Sequence, residues 1–181
     1  MRAVARDVGV SATAIYRHFK SKDDLLRVVV RVGSERFALY LTRGLEGKTP
    51  LERLQRTGEG YLDFAFDHPE DYRIMFLSWD RLDLGAHSER GTTQPAPMFR
   101  FFLDRVKECL PQAPQPTPDV VMRSALLFWA QVHGMASLYI AGGGASLFPE
   151  EEFREMARLQ AQTLIQLWSA SHEGAHRNEP V

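Results

Sequence analysis

Apolar residues recur along this chain at spacings of three and four, the period of an α-helix, and no segment alternates convincingly as a strand. Val4, Ala5 and Val8 mark a first short helix beginning at Arg2, which Gly9 ends. Ser11 stands as N-cap before a second helix, Ala12 to Phe19, in which Ile15 and Phe19 turn inward and Thr13, Tyr16, Arg17 and His18 outward. Ser21 with Asp24 three residues on is a variant capping box, opening a long helix from Lys22 to about Leu45 that Gly44 and Gly47 close. Thr49-Pro50-Leu51-Glu52 is a cleaner start, with a Thr cap, Pro at the first helical position and Glu at the third. That helix reaches about Asp67. Its internal Gly58 and Gly60 each cost about 1 kcal/mol relative to Ala, which points to a close helix contact or to a kink.

Pro69 opens a further helix, Glu70 to Trp79, and residues 83–97 read as a mobile loop. Phe99, Phe102, Leu103 and Val106 mark the next helix, ending near Pro111. Pro111 to Pro118, with four prolines in eight residues, reads as a stiff linker. Thr117-Pro118 starts a helix to about Ala141 that is apolar round most of its circumference and therefore central; Gly142, Gly143 and Gly144 stop it. The last helix runs from Glu150 to about Ser171, with three acids in the first turn, where the helix dipole favours them. The expected fold is all-α: a helix-turn-helix head over residues 1–46, a helical bundle over 47–172 and a flexible polar tail over 173–181.

The 181 residues are 44% hydrophobic, ample for a core. One cysteine, Cys109, excludes an internal disulfide and a thiolate zinc site, leaving a redox-active thiol or a packed one. No apolar run approaches the roughly 18–20 residues of a membrane span, and the first residues lack the apolar centre of a signal peptide, so a cytoplasmic protein without a membrane partner is expected. Formal net charge is −1, which on its face argues against a nucleic-acid partner. Divided at residue 48 the picture reverses. The first part holds 10 Lys+Arg and five acids, a net of +5; the rest holds 22 − 10 = 12 basic and 23 − 5 = 18 acidic residues, a net of −6. A basic head on an acidic body suits a DNA reader with a separate partner domain.

A helix, a Gly9 turn and a second helix with an exposed Tyr-Arg-His face form a helix-turn-helix pattern. The run Ala3-Val4-Ala5-Arg6-Asp7-Val8-Gly9-Val10-Ser11-Ala12-Thr13-Ala14-Ile15-Tyr16-Arg17-His18-Phe19-Lys20-Ser21-Lys22-Asp23-Asp24-Leu25-Leu26 resembles the DNA-binding module of TetR-family transcriptional regulators. That resemblance covers about the first 45 residues. It implies that Thr13, Ala14, Tyr16, Arg17 and His18 lie on the recognition helix and meet the major groove. Arg17 and His18 are suited to phosphates or base edges, Ala14 to a thymine methyl and Tyr16 to the sugar-phosphate backbone. Lys22 matches the family's phosphate clamp at a helix N-terminus, and Arg2 a position at the start of the hairpin that reaches DNA. Ser11 serves either as a cap alone or also as a DNA contact. Family members carry one more helix before the hairpin, whereas this sequence starts near that module's second helix. The expectation is therefore a longer natural protein, with Val4, Ile15, Phe19 and Leu25 partly uncovered in this one.

Phe128-Trp129-Ala130-Gln131-Val132-His133-Gly134 forms a second constellation, with Trp129 and His133 four apart on one helix face and Gly134 small enough to admit a neighbouring helix. The Trp-x-x-x-His-Gly pattern resembles the C-terminal domain type named for it within the same family. This implies an all-helical unit that dimerises and often binds a small effector. Tyr61, Phe64, Phe76, Phe99, Phe102, Trp129 and His133 are the candidates to line an apolar effector cavity, with a hydrogen-bonded core histidine as the other reading of His133. Phe153, Ala157, Leu164 and Trp168 outline an apolar stripe on the last helix, expected to help form a four-helix dimer interface through the last two helices. Asp63 and Asp67 share a helix face with no evident partner. The histidines show no metal-ligand spacing, no phosphate loop is present and no cofactor is expected.

The expected function is a homodimeric, effector-released transcriptional repressor on a near-palindromic double-stranded DNA operator. The alternative is a helical small-molecule-binding or protein-interaction module without DNA binding. A helical enzyme has no residue constellation behind it.

Overall fold

A computed structural model describes residues 1–77, 97–110 and 115–175, apart from the side chains at 97, 161, 165 and 167–175. The expected loop at 83–97 lies outside the described residues save for Pro97, as do residues 111–114 of the proline-rich stretch and 176–181 of the tail. Among the described residues every regular element is helical.

The head consists of α1 (Arg2–Asp7), α2 (Ala12–His18) and the start of α3 (Lys22–Thr42). Gly9 makes the turn between α1 and α2 at φ +71°, a left-handed conformation that costs glycine nothing. Ser11 Oγ accepts from the Ala14 N–H at 3.1 Å, and Ser21 Oγ from the Asp24 N–H at 3.1 Å. The Asp24 carboxylate reaches back to the Lys20 N–H at 2.9 Å instead of the Ser21 N–H, so the box closes one residue early. Ala5 and Ile15 are the buried contacts of this small unit.

α3 ends at Thr42 and tightens into a 3₁₀ turn, Arg43–Glu46, before α4 (Pro50–Asp67). Both bonds of the capping box at the start of α4 are present between Thr49 and Glu52. The two interior glycines of α4 resolve as close contacts. A Cβ on Gly60 would fall against the backbone carbonyl of Tyr40 on α3, and one on Gly58 would stand 3.0 Å from the Phe128 ring.

Pro69 opens α5 (Pro69–Tyr72) as expected, but the chain then widens into a π-helical turn, Arg73–Leu77. The wider turn brings Phe76 to within 5.0 Å of Tyr72, 5.4 Å of Phe37 and 5.8 Å of Tyr61, ring centre to ring centre. α6 (Pro97–Cys109), α7 (Pro118–Ile140), a single turn α8 (Gly144–Leu147) and α9 (Glu150–Ala175) complete the body. α9 runs four residues past Ser171. α4 and α7 lie at its centre, with Leu54, Tyr61, Phe64, Ala125 and Phe128 wholly buried.

Two expectations are corrected here. Asp63 is an ion-pair hub, bonded to Arg154 of α9 and 3.6 Å from Arg43, while Asp67 accepts the Tyr40 hydroxyl at 2.9 Å. Partners twenty to ninety-one residues away in sequence supply those contacts. The stripe on α9 also faces the other way: Phe153 and Ala157 are buried in this chain's own core, with Phe153 5.1 Å from Tyr139, and Leu164 packs on the same core. The Trp168 side chain lies outside the described residues. The solvent side of the last two long helices carries other residues: Val120, Leu127 and Leu138 of α7 and Leu159 of α9.

Candidate nucleic-acid and effector sites

The Gly9 turn and the Ser11 cap fix the orientation of α2. Ile15 faces the interior, and Thr13, Tyr16 and Arg17, at spacings of three and four, share an exposed ridge. His18 is exposed beside it and Ala14 is half-buried at its edge. The side chains of Thr13, Tyr16, Arg17 and His18 have no hydrogen-bond or ion-pair partner within the described residues, and neither does Lys22 at the start of α3. Arg2 is exposed at the start of α1. The Ser11 oxygen is engaged in its cap, with its hydroxyl proton still free to donate. An exposed row of unpaired donors next to a helix N-terminus can take up phosphate oxygens and base edges.

The second candidate cluster lies in the body. Tyr61 and Phe102, no more than 2% exposed and with ring centres 6.0 Å apart, lie beneath it. Phe64, equally buried, packs instead on Phe37, Tyr40 and His68; Phe76, Phe99, Trp129 and His133 are half-buried. Trp129 stacks on His133 with ring centres 4.7 Å apart and planes 21° apart, and Phe99 meets the indole edge-on at 6.3 Å. His133 Nδ1 lies 2.9 Å from the hydroxyls of both Tyr61 and Tyr72. Tyr72 is also 3.2 Å from the His133 carbonyl and 3.0 Å from Ser137 Oγ. Sequence reasoning passed over Tyr72 and Ser137 as site residues. Ser137 falls one turn after His133, a spacing visible in the sequence, whereas Tyr72 reaches the cluster only through the packing of α5.

Desolvation governs the electrostatics of this cluster. Burial raises the Tyr61 and Tyr72 pKa values above the ordinary phenol value, so both remain protonated donors. Burial pushes His133 down from 6.5, so its neutral ring is favoured. A folded-state pKa below the unfolded one means that the unfolded chain binds the extra proton first. Stability is therefore complete above pH about 6.5 and declines as pH falls through the folded value. Urea denaturation between pH 7.5 and 5 is expected to show that decline, with a shallower slope in His133→Phe. Burial likewise raises Cys109 to about 11, and a thiol kept protonated is a packed one.

A shallow cleft between α4, α7 and α9, lined by Gln55, Gly58, Glu59, Val132 and Arg158 among others, does not touch the tyrosine–histidine cluster. Among the described residues no group of His, Cys, Asp or Glu could hold a metal ion, and no helix is long and apolar enough to cross a membrane.

Residues 1–29 match the family described as bacterial regulatory proteins, tetR family, and residues 54–164 match the tetracyclin repressor-like C-terminal domain. The Trp-His-Gly subtype does not figure in those descriptions. No curated protein matches the chain. A solved structure of a protein with unknown function from Rhodococcus sp. RHA1 is similar, with 25% identity and a TM-score of 0.61 over 91% of this chain and 82% of that one. With a helix-turn-helix head ahead of a helical domain that matches over most of the body, this chain belongs to the tetR family of DNA-binding transcriptional regulators.

Proposed function

We propose that the protein is an effector-released repressor that binds a near-palindromic operator as a homodimer. The observation that carries this reading is the exposed, unpaired Thr13–Tyr16–Arg17 ridge within the first 48 residues, whose net charge is +5, with Lys22 beside it at a helix N-terminus. In this reading residues 1–46 form the DNA-binding unit and residues 47–172 the sensing and dimerising unit. Arg17 and His18 meet base edges or phosphates, Ala14 meets a thymine methyl, and Thr13, Tyr16, Lys22, Arg2 and Ser11 hold the backbone. Two-fold symmetry sets the recognition helices roughly 34–36 Å apart, one turn of DNA.

A hydrophobic effector would sit against Phe76, Phe99, Trp129 and His133, over the buried Tyr61 and Phe102. The route from there to the head is short. Phe76 packs on Phe37 of α3, Asp71 beside it pairs with Arg36, and the Met75 sulfur occupies the space a Cβ on Gly33 would need. A ligand that displaces the 73–77 turn therefore acts on the helix carrying the head, by as much as it prefers the displaced form.

Titrating fluorescent DNA from the gene's own upstream region across a salt series tests the DNA-binding half. Specific binding that weakens steeply with salt is expected. Lys22→Ala should weaken all sequences alike and lower the salt slope by about one. Arg17→Ala should cost about 1–3 kcal/mol on the preferred site and relax preference at one base pair. Equal losses on every sequence for both variants would refute that division of roles.

A further inference from the structure

The protons of the body cluster can be assigned. Tyr61 is wholly buried, and its hydroxyl proton has two acceptors in reach: His133 Nδ1 at 2.9 Å and the Tyr72 oxygen at 3.5 Å. The shorter bond satisfies it, and leaving it unmade would strand a buried donor. Nδ1 then accepts. Tyr72, also 2.9 Å from Nδ1, shares its proton between that nitrogen and the His133 carbonyl at 3.2 Å, and receives the Ser137 proton at 3.0 Å. Every buried proton is placed by this arrangement, and it leaves the ring's own proton on Nε2. There the nearest partner among the described residues is Ser137 Oγ at 3.5 Å, longer than an ordinary N–H···O bond. The opposite tautomer would use Nδ1–H as a donor and leave Tyr61 with only the 3.5 Å contact.

Among the described residues, charge is absent from the cluster's bonding. The hydrogen-bond partners of Tyr61, Tyr72, His133 and Ser137 are one another and the His133 backbone, with the Trp129 indole beside the Tyr61 oxygen. Arg73, the cation nearest in sequence to Tyr72, is bonded to Glu70 at 2.5 Å and to the Ile140 carbonyl at 3.1 Å. A carboxylate or an ammonium brought against Trp129 and Phe76 would lose its water and find no counter-charge among these groups.

We infer that the effector is an uncharged molecule that presents a hydrogen-bond acceptor, a ketone, ester, lactone or amide carbonyl on an apolar frame, to the Nε2–H of His133. This rests on the body being an effector-binding domain. Trp129 fixes the plane of the imidazole, Tyr61 fixes its tautomer, and the acceptor lies in the ring plane on the side away from Nδ1. Tyr61 is thus a positioning residue for His133.

Two measurements on the full chain separate this inference from the reading beneath it. Long-range ¹H–¹⁵N correlation at pH 7.5 is expected to show His133 as the Nε2–H tautomer, with that preference lost in Tyr61→Phe; an Nδ1–H tautomer in the wild type overturns the inference without any ligand. Calorimetry with three naphthalenes then tests the ligand class. 2-Acetylnaphthalene is expected to bind about tenfold more tightly than 2-ethylnaphthalene and 2-naphthoate, an advantage lost in His133→Phe and partly kept in His133→Gln, which retains an N–H donor. Naphthoate binding as well as the ketone, or all three binding alike, overturns the neutral-acceptor class. No binding by any of the three, with the Nε2–H tautomer present, overturns the effector site itself. The glutamine variant and a circular dichroism control guard against misfolding of the phenylalanine one.

Discussion

Gly60→Ala is expected to destabilise the protein by about 3 kcal/mol or more, although alanine favours a helix by about 1 kcal/mol over glycine. The new Cβ would meet the Tyr40 carbonyl oxygen too closely to be accommodated, and would stand 2.9 Å from the carbonyl carbon. Those are backbone atoms in the last turns of α3 and cannot rotate aside as a side chain would. α3 and α4 must separate, which loosens Gly44, whose backbone is seated against the Arg53 carbonyl and Thr57. Thermal unfolding should report a fall in Tm of roughly 6–12 °C for a chain of this size. Gly58→Ala provides the comparison. Its Cβ would stand 3.0 Å from the edge of the Phe128 ring, which can shift by a few tenths of an ångström, so its loss should be clearly smaller. Equal stabilities for the two variants would show that α3 and α4 are not held at this point. Because α3 also carries the head, Gly60→Ala should weaken DNA binding even at temperatures where the fold survives.

The helix starts were legible because capping is local chemistry. Ser11, Ser21, Thr49 and Thr117 each bond the N–H three residues on, and three residues of sequence suffice to see it. The α1 turn was legible for the same reason, since a left-handed residue in that position asks for glycine. Long-range partners were not. Nothing near Asp63 announces Arg154, ninety-one residues away. The stripe of Phe153, Ala157 and Leu164 was a correct periodicity with the wrong neighbour: a 3.6-residue period shows that a helix has an apolar face, not which surface that face meets. The π-turn at 73–77 was illegible too, because it is fixed by the packing of Phe76 and Met75 against rings and a glycine supplied by other helices. His133 was singled out with two readings open. Nδ1 is hydrogen-bonded to Tyr61 and Tyr72, and the Nε2 edge, with only the 3.5 Å contact to Ser137, is what the effector proposal uses.

Leu138→Asp is expected to leave the protomer folded and to abolish dimerisation in the working concentration range. Val120, Leu127, Gly134 and Leu138 recur on one face of α7 at intervals of seven, seven and four, and Leu127 and Leu138 are 56% and 58% exposed. Leu159 on α9, the helix packed against α7, is 54% exposed. Gly134 identifies the occupant that this face suits. Its hypothetical Cβ would meet nothing within 4 Å, so among the described residues no helix uses the close approach that a glycine in mid-helix offers. A second copy, laying its own α7 across the first, would use it reciprocally. Each substitution then occurs twice in the dimer. Losing a leucine costs about 1–2 kcal/mol per copy, and a carboxylate forced into the same apolar face adds to it. The dissociation constant should rise at least about a thousandfold, and light scattering should give a monomer. Gly134→Ala discriminates between this face and a merely exposed helix. In an isolated helix it gains up to about 1 kcal/mol, whereas at a close crossing the added methyls clash. The expected outcome is a weaker dimer whose protomer melts higher when dilute. A Gly134→Ala dimer as tight as the wild type would place the two-fold axis elsewhere, and operator binding unchanged in Leu138→Asp would separate DNA recognition from dimerisation altogether.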